Sequence, residues 1–239
     1  EDYIEHSTNH NPWFTKEFLI KAIHSIGESL AKGKIEQWLL PYESDIEVTK
    51  PMKTIGVVMA GNIPLVGFHD YLCTLISGNK LLAKIASGDK ILLPLLHEIL
   101  SCFDSYFQDK AEFTSNQIKS FDAIIATGSD NTARYFEYYF GKYPNIIRKN
   151  RNGVGVLNGK ETAEDLEGLA DDVFMYFGLG CRNVSKLFVP RNYDFEPLMK
   201  AFEKYSHFSN HSKYMNNHDY NKAILLINKV NFLDNGFIL

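Results

Sequence analysis

Short apolar runs separated by stretches with helical spacing dominate the pattern of this chain. Residues 54–59 form an apolar run with the character of a strand buried on both faces, the habit of parallel sheets. Residues 80–85 and 121–126 give two further strands, and 145–148, 154–157 and 186–189 give three short ones. Between them lie helical segments. Thr15 caps a helix over 16–31 with Phe18, Leu19, Ala22, Ile23, Ile26 and Leu30 on one face. Others are expected over 33–40, over 65–77 (closed by Gly78-Asn79), from Pro94 to 107, and over 131–141, 164–177 and 195–205. Residues 1–12 are polar and read as loosely held. The aromatic run Tyr135, Phe136, Tyr138, Tyr139, Phe140 reads as packing. Strand-helix alternation of this kind predicts an α/β fold with a mostly parallel sheet. Ligands in such sheets bind at the carboxyl ends of the strands, where Ala60-Gly61-Asn62 and Thr127-Gly128-Ser129 both fall.

Composition narrows the class. With 239 residues, 45% of them hydrophobic, the chain can bury a sizeable core in one or two domains. A net charge of -4 and the lack of a basic stripe argue against nucleic acid as a partner. No apolar run reaches the roughly 18 residues of a membrane span, and no signal peptide opens the chain. Cys73, Cys102 and Cys181 make neither metal nor disulfide spacing, which suits a reducing, cytoplasmic compartment. The start at Glu1 and the apolar stop at Leu239 read as cuts in a longer polypeptide.

Candidate chemistry centres on Cys181, in the stretch Gly178-Leu179-Gly180-Cys181-Arg182-Asn183-Val184, where a helix ends and the chain turns into a strand. Its glycines let another molecule approach the backbone. A lone cysteine reads as a small buried thiol or as a nucleophile. A thiolate attacking an acyl carbon needs donors for the resulting oxyanion. The Asn62 amide and the Cys181 backbone N–H would fit that need, although Asn62 is equally a turn-former. Thr127, Gly128 and Ser129 at a helix start offer donors for a pyrophosphate, or simply a cap. Lys84 and Ser87 follow the second strand with no carboxylate before Asp89, which leans toward a ribose 2′-phosphate and so NADP(H). Arg148, Lys149 and Arg151 are either a solvated face or phosphate contacts. His69 and Asp70 read as bonding within their own helix. His207, His211 and His218 lie in a polar segment, 207–221, that reads as a hydrogen-bonded surface or substrate loop rather than a metal site.

In this order, the turn Ala60-Gly61-Asn62-Ile63-Pro64, Lys84, Ala126-Thr127-Gly128-Ser129-Asp130 and the Cys181 loop resemble the aldehyde dehydrogenase superfamily. Within it they resemble the bacterial acyl-CoA reductases, including the fatty-acid reductases of luminous bacteria. The resemblance covers roughly residues 14–235. It implies a Rossmann-type cofactor domain with N-terminal helices over 1–155 and the start of an α/β catalytic domain over 156–239. It also implies NADPH-dependent reduction of an acyl-CoA to an aldehyde through an acylated cysteine. Carried over, Cys181 is the nucleophile, Asn62 the oxyanion donor, Lys84 the ribose contact, and Gly128 with Ser129 the pyrophosphate turn. A homo-oligomer or an acyl-transferase partner is a further implication.

The pattern departs from the hydrolytic members, which place an activating Glu some thirty residues before the cysteine. Here that region reads Arg148-Lys149-Asn150-Arg151-Asn152-Gly153, without a carboxylate. An enzyme that must keep its thioester from water gains by lacking such a base. The superfamily also carries a longer catalytic domain and an oligomerisation arm that this chain does not include. Glutamyl-phosphate reductase, similar in fold and cysteine chemistry, and a non-catalytic nucleotide-binding domain are the alternative readings.

Overall fold

The computed structural model describes residues 2–46 and 51–239. The chain forms two compact units, divided between Asn150 and Arg151.

The first unit opens with α1 (Asp2–His10), where the sequence suggested a loosely held segment. The helix forms because it has something to pack on. Ile4 joins the core, Ser7 is buried, and the Ser7 and Thr8 hydroxyls bond back to the carbonyls of Tyr3 and Ile4. α2 (Lys16–Ser29) starts as expected at Thr15, whose hydroxyl accepts from the Phe18 N–H at 3.2 Å. α3 (Lys32–Leu39), a 3-10 turn at Leu40–Tyr42 and α4 (Glu43–Ile46) follow.

The sheet then builds through β1 (Thr54–Val58), α5 (Phe68–Ile76), β2 (Lys80–Lys84), α6 (Leu92–Phe103), β3 (Ala111–Thr114), β4 (Ala123–Thr127), α7 (Asp130–Phe140) and β5 (Asn145–Arg148). Its order is β3-β2-β1-β4-β5, and every pairing is parallel. β3 occupies an edge, where four residues with Glu112 exposed give little apolar signal; the sequence suggested a polar connection there. Val57, Leu81 and Ala83 pack with Phe14, Leu19, Tyr71, Leu92 and Leu93 into one core. In α7, Phe136 and Phe140 stack at 5.7 Å and Phe140 meets Phe121, but Tyr135, Tyr138 and Tyr139 are exposed. The packing expected of that run is made by the phenylalanines.

The second unit is a βαβ unit with two further helices. β6 (Gly153–Val156) and β7 (Val184–Phe188) pair in parallel across α8 (Ala163–Phe174). Thr162 and Asp165 form a capping box at the start of α8. Then come α9 (Glu196–Phe202), a 3-10 segment Glu203–Asn210 and α10 (Ser212–Ile227). Residues 207–221, expected as a loop, are therefore mostly helical. Tyr205, Phe208 and His218 turn inward, and His211 caps α10 by accepting from the Tyr214 N–H. Phe174 is the hub of this unit's core, with the rings of Phe202, Tyr205, Phe208 and Phe237 5.0–6.0 Å away.

Candidate active site

Two groups of side chains carry the candidate chemistry, one in each unit. In the first unit the sheet order reverses between β1 and β4, the switch point where parallel sheets bind ligands. Asn62 lies in the turn after β1, Lys84 ends β2 with Ser87 in the turn beyond it, and Thr127 ends β4 just before Gly128 and Ser129. All six are thus at the carboxyl edge of one sheet, which the sequence could only imply.

These turns are held together. The Leu65 N–H donates to Asp89 Oδ2 at 2.7 Å, binding the turn after β1 to the turn after β2. A Cβ on Gly88 would come within 2.7 Å of the Gly61 carbonyl oxygen, so the two backbones touch where only glycine fits. From the other side, His10 Nε2 donates to the Ser87 carbonyl at 2.6 Å and Asn11 Nδ2 to the Gly88 carbonyl at 3.1 Å. Burial pushes Asp89 up to about 6, against the pull of the Leu65 and Leu92 N–H groups. None of these buttresses was singled out from the sequence. Gly61 and Gly88 were the visible signal, while Asp89, His10 and Asn11 gave none.

At β4, the Gly128 N–H donates to the Arg148 carbonyl at 3.2 Å, and Ser129 caps α7 by accepting from the Thr132 N–H at 3.3 Å. The Ser129 hydroxyl therefore serves the helix first. The N–H groups of Asp130 and Asn131, in the first turn and without intrahelical acceptors, are the donors left for an anion. A Cβ on Gly128 would meet Thr132 and Phe136 at 3.0 Å, so the helix start sits directly over the turn. Lys84 puts a cation at the end of β2, and the first carboxylate beyond it in the chain is Asp89.

The cations of residues 148–149 are engaged otherwise. Arg148 Nη1 lies 2.8 and 2.6 Å from the two carboxylate oxygens of Asp70, and Lys149 pairs with Glu137 at 2.8 Å. Asp70, expected to bond within its helix, instead ties α5 to β5. Beside it, Cys73 is half-buried, and burial followed by the Asp70 charge pushes its thiol up, which disfavours the thiolate.

In the second unit Cys181 is exposed, in a turn between a 3-10 segment (Met175–Gly178) and β7. The approach to it is strained. Tyr176, Phe177 and Gly178 have φ of 54°, 57° and 71°, three successive left-handed residues of which two are aromatic. Left-handed non-glycine residues cost of order 1–3 kcal/mol each and persist only where surroundings over-determine them. Here the Phe177 ring is buried against Phe208 and His211, 4.5 Å from each. Asn183, two residues after the cysteine, is buried and fully hydrogen-bonded. From the sequence it was one polar residue among several in the turn.

Among the described residues, no helix is long and apolar enough to cross a membrane. A family model described as acyl-CoA reductase (LuxC) matches residues 13–200, which include Asn62, Lys84, Ser87, Thr127, Gly128, Ser129 and Cys181. The chain belongs to this acyl-CoA reductase family. A search of curated proteins finds no match.

Among solved structures, a putative aldehyde dehydrogenase, PutA, from Anabaena variabilis aligns with a TM-score of 0.55 and 18% identity, over 66% of this chain and 36% of its own. A propionaldehyde dehydrogenase from the Clostridium phytofermentans fucose utilisation bacterial microcompartment gives 0.53 and 11%, over 64% and 38%. A mutant aldehyde dehydrogenase C from Pseudomonas syringae, in complex with NAD+ and octanal, gives 0.50 and 13%, over 64% and 34%. These likenesses establish an aldehyde-dehydrogenase-like α/β fold over the aligned part. The chain spans little more than a third of the length of these proteins.

Proposed function

We propose that this chain carries the cofactor-binding edge and the nucleophile of an NADPH-dependent reductase that converts an acyl-CoA thioester to an aldehyde. One observation carries the reading: an exposed cysteine on a strained, internally braced turn lies inside the segment matched by an acyl-CoA reductase family.

The Cys181 thiolate attacks the acyl carbon, the bond from that carbon to the CoA sulfur breaks, and CoA leaves as a thiolate that takes up a proton. The acyl group is then a thioester on Cys181 Sγ. The Cys181 N–H acts as a donor to the oxyanion that forms on the way, the role that the family resemblance also gives to the Asn62 carboxamide. Bound at the sheet edge, NADPH would supply the hydride to the acyl carbon. Lys84 and Ser87 would hold its ribose phosphate and the first turn of α7 its pyrophosphate. The Sγ–carbon bond breaks as the aldehyde departs, regenerating the thiolate. In sum, acyl-CoA, NADPH and a proton give aldehyde, NADP+ and CoA.

The stretch between β5 and β6 has no carboxylate to activate water, which supports reduction over hydrolysis of the thioester. The family match favours an acyl-CoA substrate over glutamyl phosphate. The test is to trap product aldehyde as a hydrazone from the protein with acyl-CoA and NADPH. The reading predicts hydrazone and free CoA in equal amounts. CoA release without aldehyde would indicate a thioesterase and overturn it.

A further inference from the structure

We propose that Asn183 is the positioning residue of the nucleophile turn, holding the Cys181 thiol and N–H in register for an acyl carbonyl. The inference rests on the reading of Cys181 as the nucleophile.

The argument starts at the end of α8. Because Tyr176 and Phe177 adopt left-handed backbones, the helix stops abruptly once the Met175 N–H has closed on the Asp171 carbonyl, and at such a helix end donors to the carbonyls come from outside the helix. Asn183 supplies them from eight or more residues away. Its Nδ2 donates to the Asp172 carbonyl at 2.8 Å and the Met175 carbonyl at 3.0 Å. Its Oδ1 accepts from the Gly180 N–H at 2.7 Å, and its own N–H donates to the Gly180 carbonyl at 3.1 Å. Its carbonyl accepts from the Gly153 N–H at 2.7 Å, linking the turn to β6.

Every polar group of Asn183 is therefore spent on framing Gly180-Cys181-Arg182. Only 8% of the residue is exposed, so water cannot replace these bonds. Among the described residues, the Cys181 N–H is not used by the turn's own hydrogen bonds, which leaves it available as an oxyanion donor. The chemistry of the side chain is specific. A carboxamide accepts one bond and donates two, whereas an aspartate of the same shape can only accept and would face the Asp172 and Met175 carbonyls with negative charge. On the opposite side, a Cβ on Gly153 would lie 2.7 Å from the Arg182 carbonyl oxygen, so the turn cannot move that way without collision.

The test compares two reactions of Cys181 in the protein, in Asn183→Asp and in Gly153→Ala, which disturbs the turn from the β6 side. Acylation by an acyl-CoA needs the carbonyl aligned with thiol and N–H; alkylation by iodoacetamide needs only an accessible thiolate. Both rates are followed by intact mass, with near-ultraviolet circular dichroism reporting the aromatic packing of the whole chain. The expected result is an acylation-to-alkylation ratio about tenfold or more lower in each variant, with the dichroism retained. An unchanged ratio in folded Asn183→Asp overturns the proposal, as does an unchanged ratio in Gly153→Ala should the first variant not fold. If the unsubstituted protein is alkylated but never acylated, the nucleophile reading itself fails, and this inference with it.

Discussion

Asp70 and Arg148, 78 residues apart in the chain, meet as an ion pair in which one guanidinium nitrogen lies within 2.8 Å of both carboxylate oxygens. Asp70 is buried on α5, the helix that follows the Asn62 turn in the chain, and Arg148 ends β5. The pair fixes the helix that follows one candidate loop to the strand beside another.

Removing the acid takes the paired carboxylate away from a part-buried guanidinium. Asp70→Ala is expected to cost about 3 kcal/mol, in the range seen when one member of a buried pair is deleted. Glu137→Ala, which breaks the half-exposed pair with Lys149, is expected to cost under about 1 kcal/mol. Urea denaturation checks the contrast, and equal losses would contradict the ranking.

Asp89 sets a pH dependence of opposite sign to that of a salt-bridged acid. Its folded value, about 6, lies above its ordinary 3.8, so between those limits the folded state holds a proton that the unfolded state has released. Stability therefore falls as pH rises from about 4 to about 6, and the cost is complete above that. The gap corresponds to at most about 3 kcal/mol. Asp89→Asn keeps an acceptor for the Leu65 N–H without the charge. It is expected to be more stable than the parent at pH 7 and to show no such gain at pH 4. A gain that is the same at both pH values would contradict this origin.

Lys84 at the end of β2 tests the cofactor preference. If it meets a ribose 2′-phosphate, Lys84→Ala is expected to weaken NADPH binding about tenfold, a charge-assisted contact of the usual size, and to leave NADH binding within about twofold. Fluorescence titration with both cofactors reads the difference, and equal losses would remove the phosphate contact.

The sheet was legible because β1, β2 and β4 are buried strands whose apolar runs do not depend on context, and Thr15 marked its helix by a local hydrogen bond. β3 was not, since an edge strand with an exposed Glu112 carries no such run. α1 and residues 206–227 were missed for a related reason. Their polar residues become ordered by partners far along the chain, as with His10 on Ser87, or by turning single aromatic rings inward, as with Phe208. The candidate turns were visible through glycine, Asn62 and Cys181. The residues that brace them, Asp89, Asn183 and the Asp70–Arg148 pair, act through contacts across the fold, for which local sequence has no signature.

The decisive measurement is intact mass after mixing the protein with a long-chain acyl-CoA in the absence of cofactor, beside Cys181→Ala. One acyl adduct on the parent, none on the variant, and its discharge on adding NADPH is the predicted result. An unmodified parent, or an adduct that persists in Cys181→Ala, would contradict an acyl-enzyme formed on Cys181.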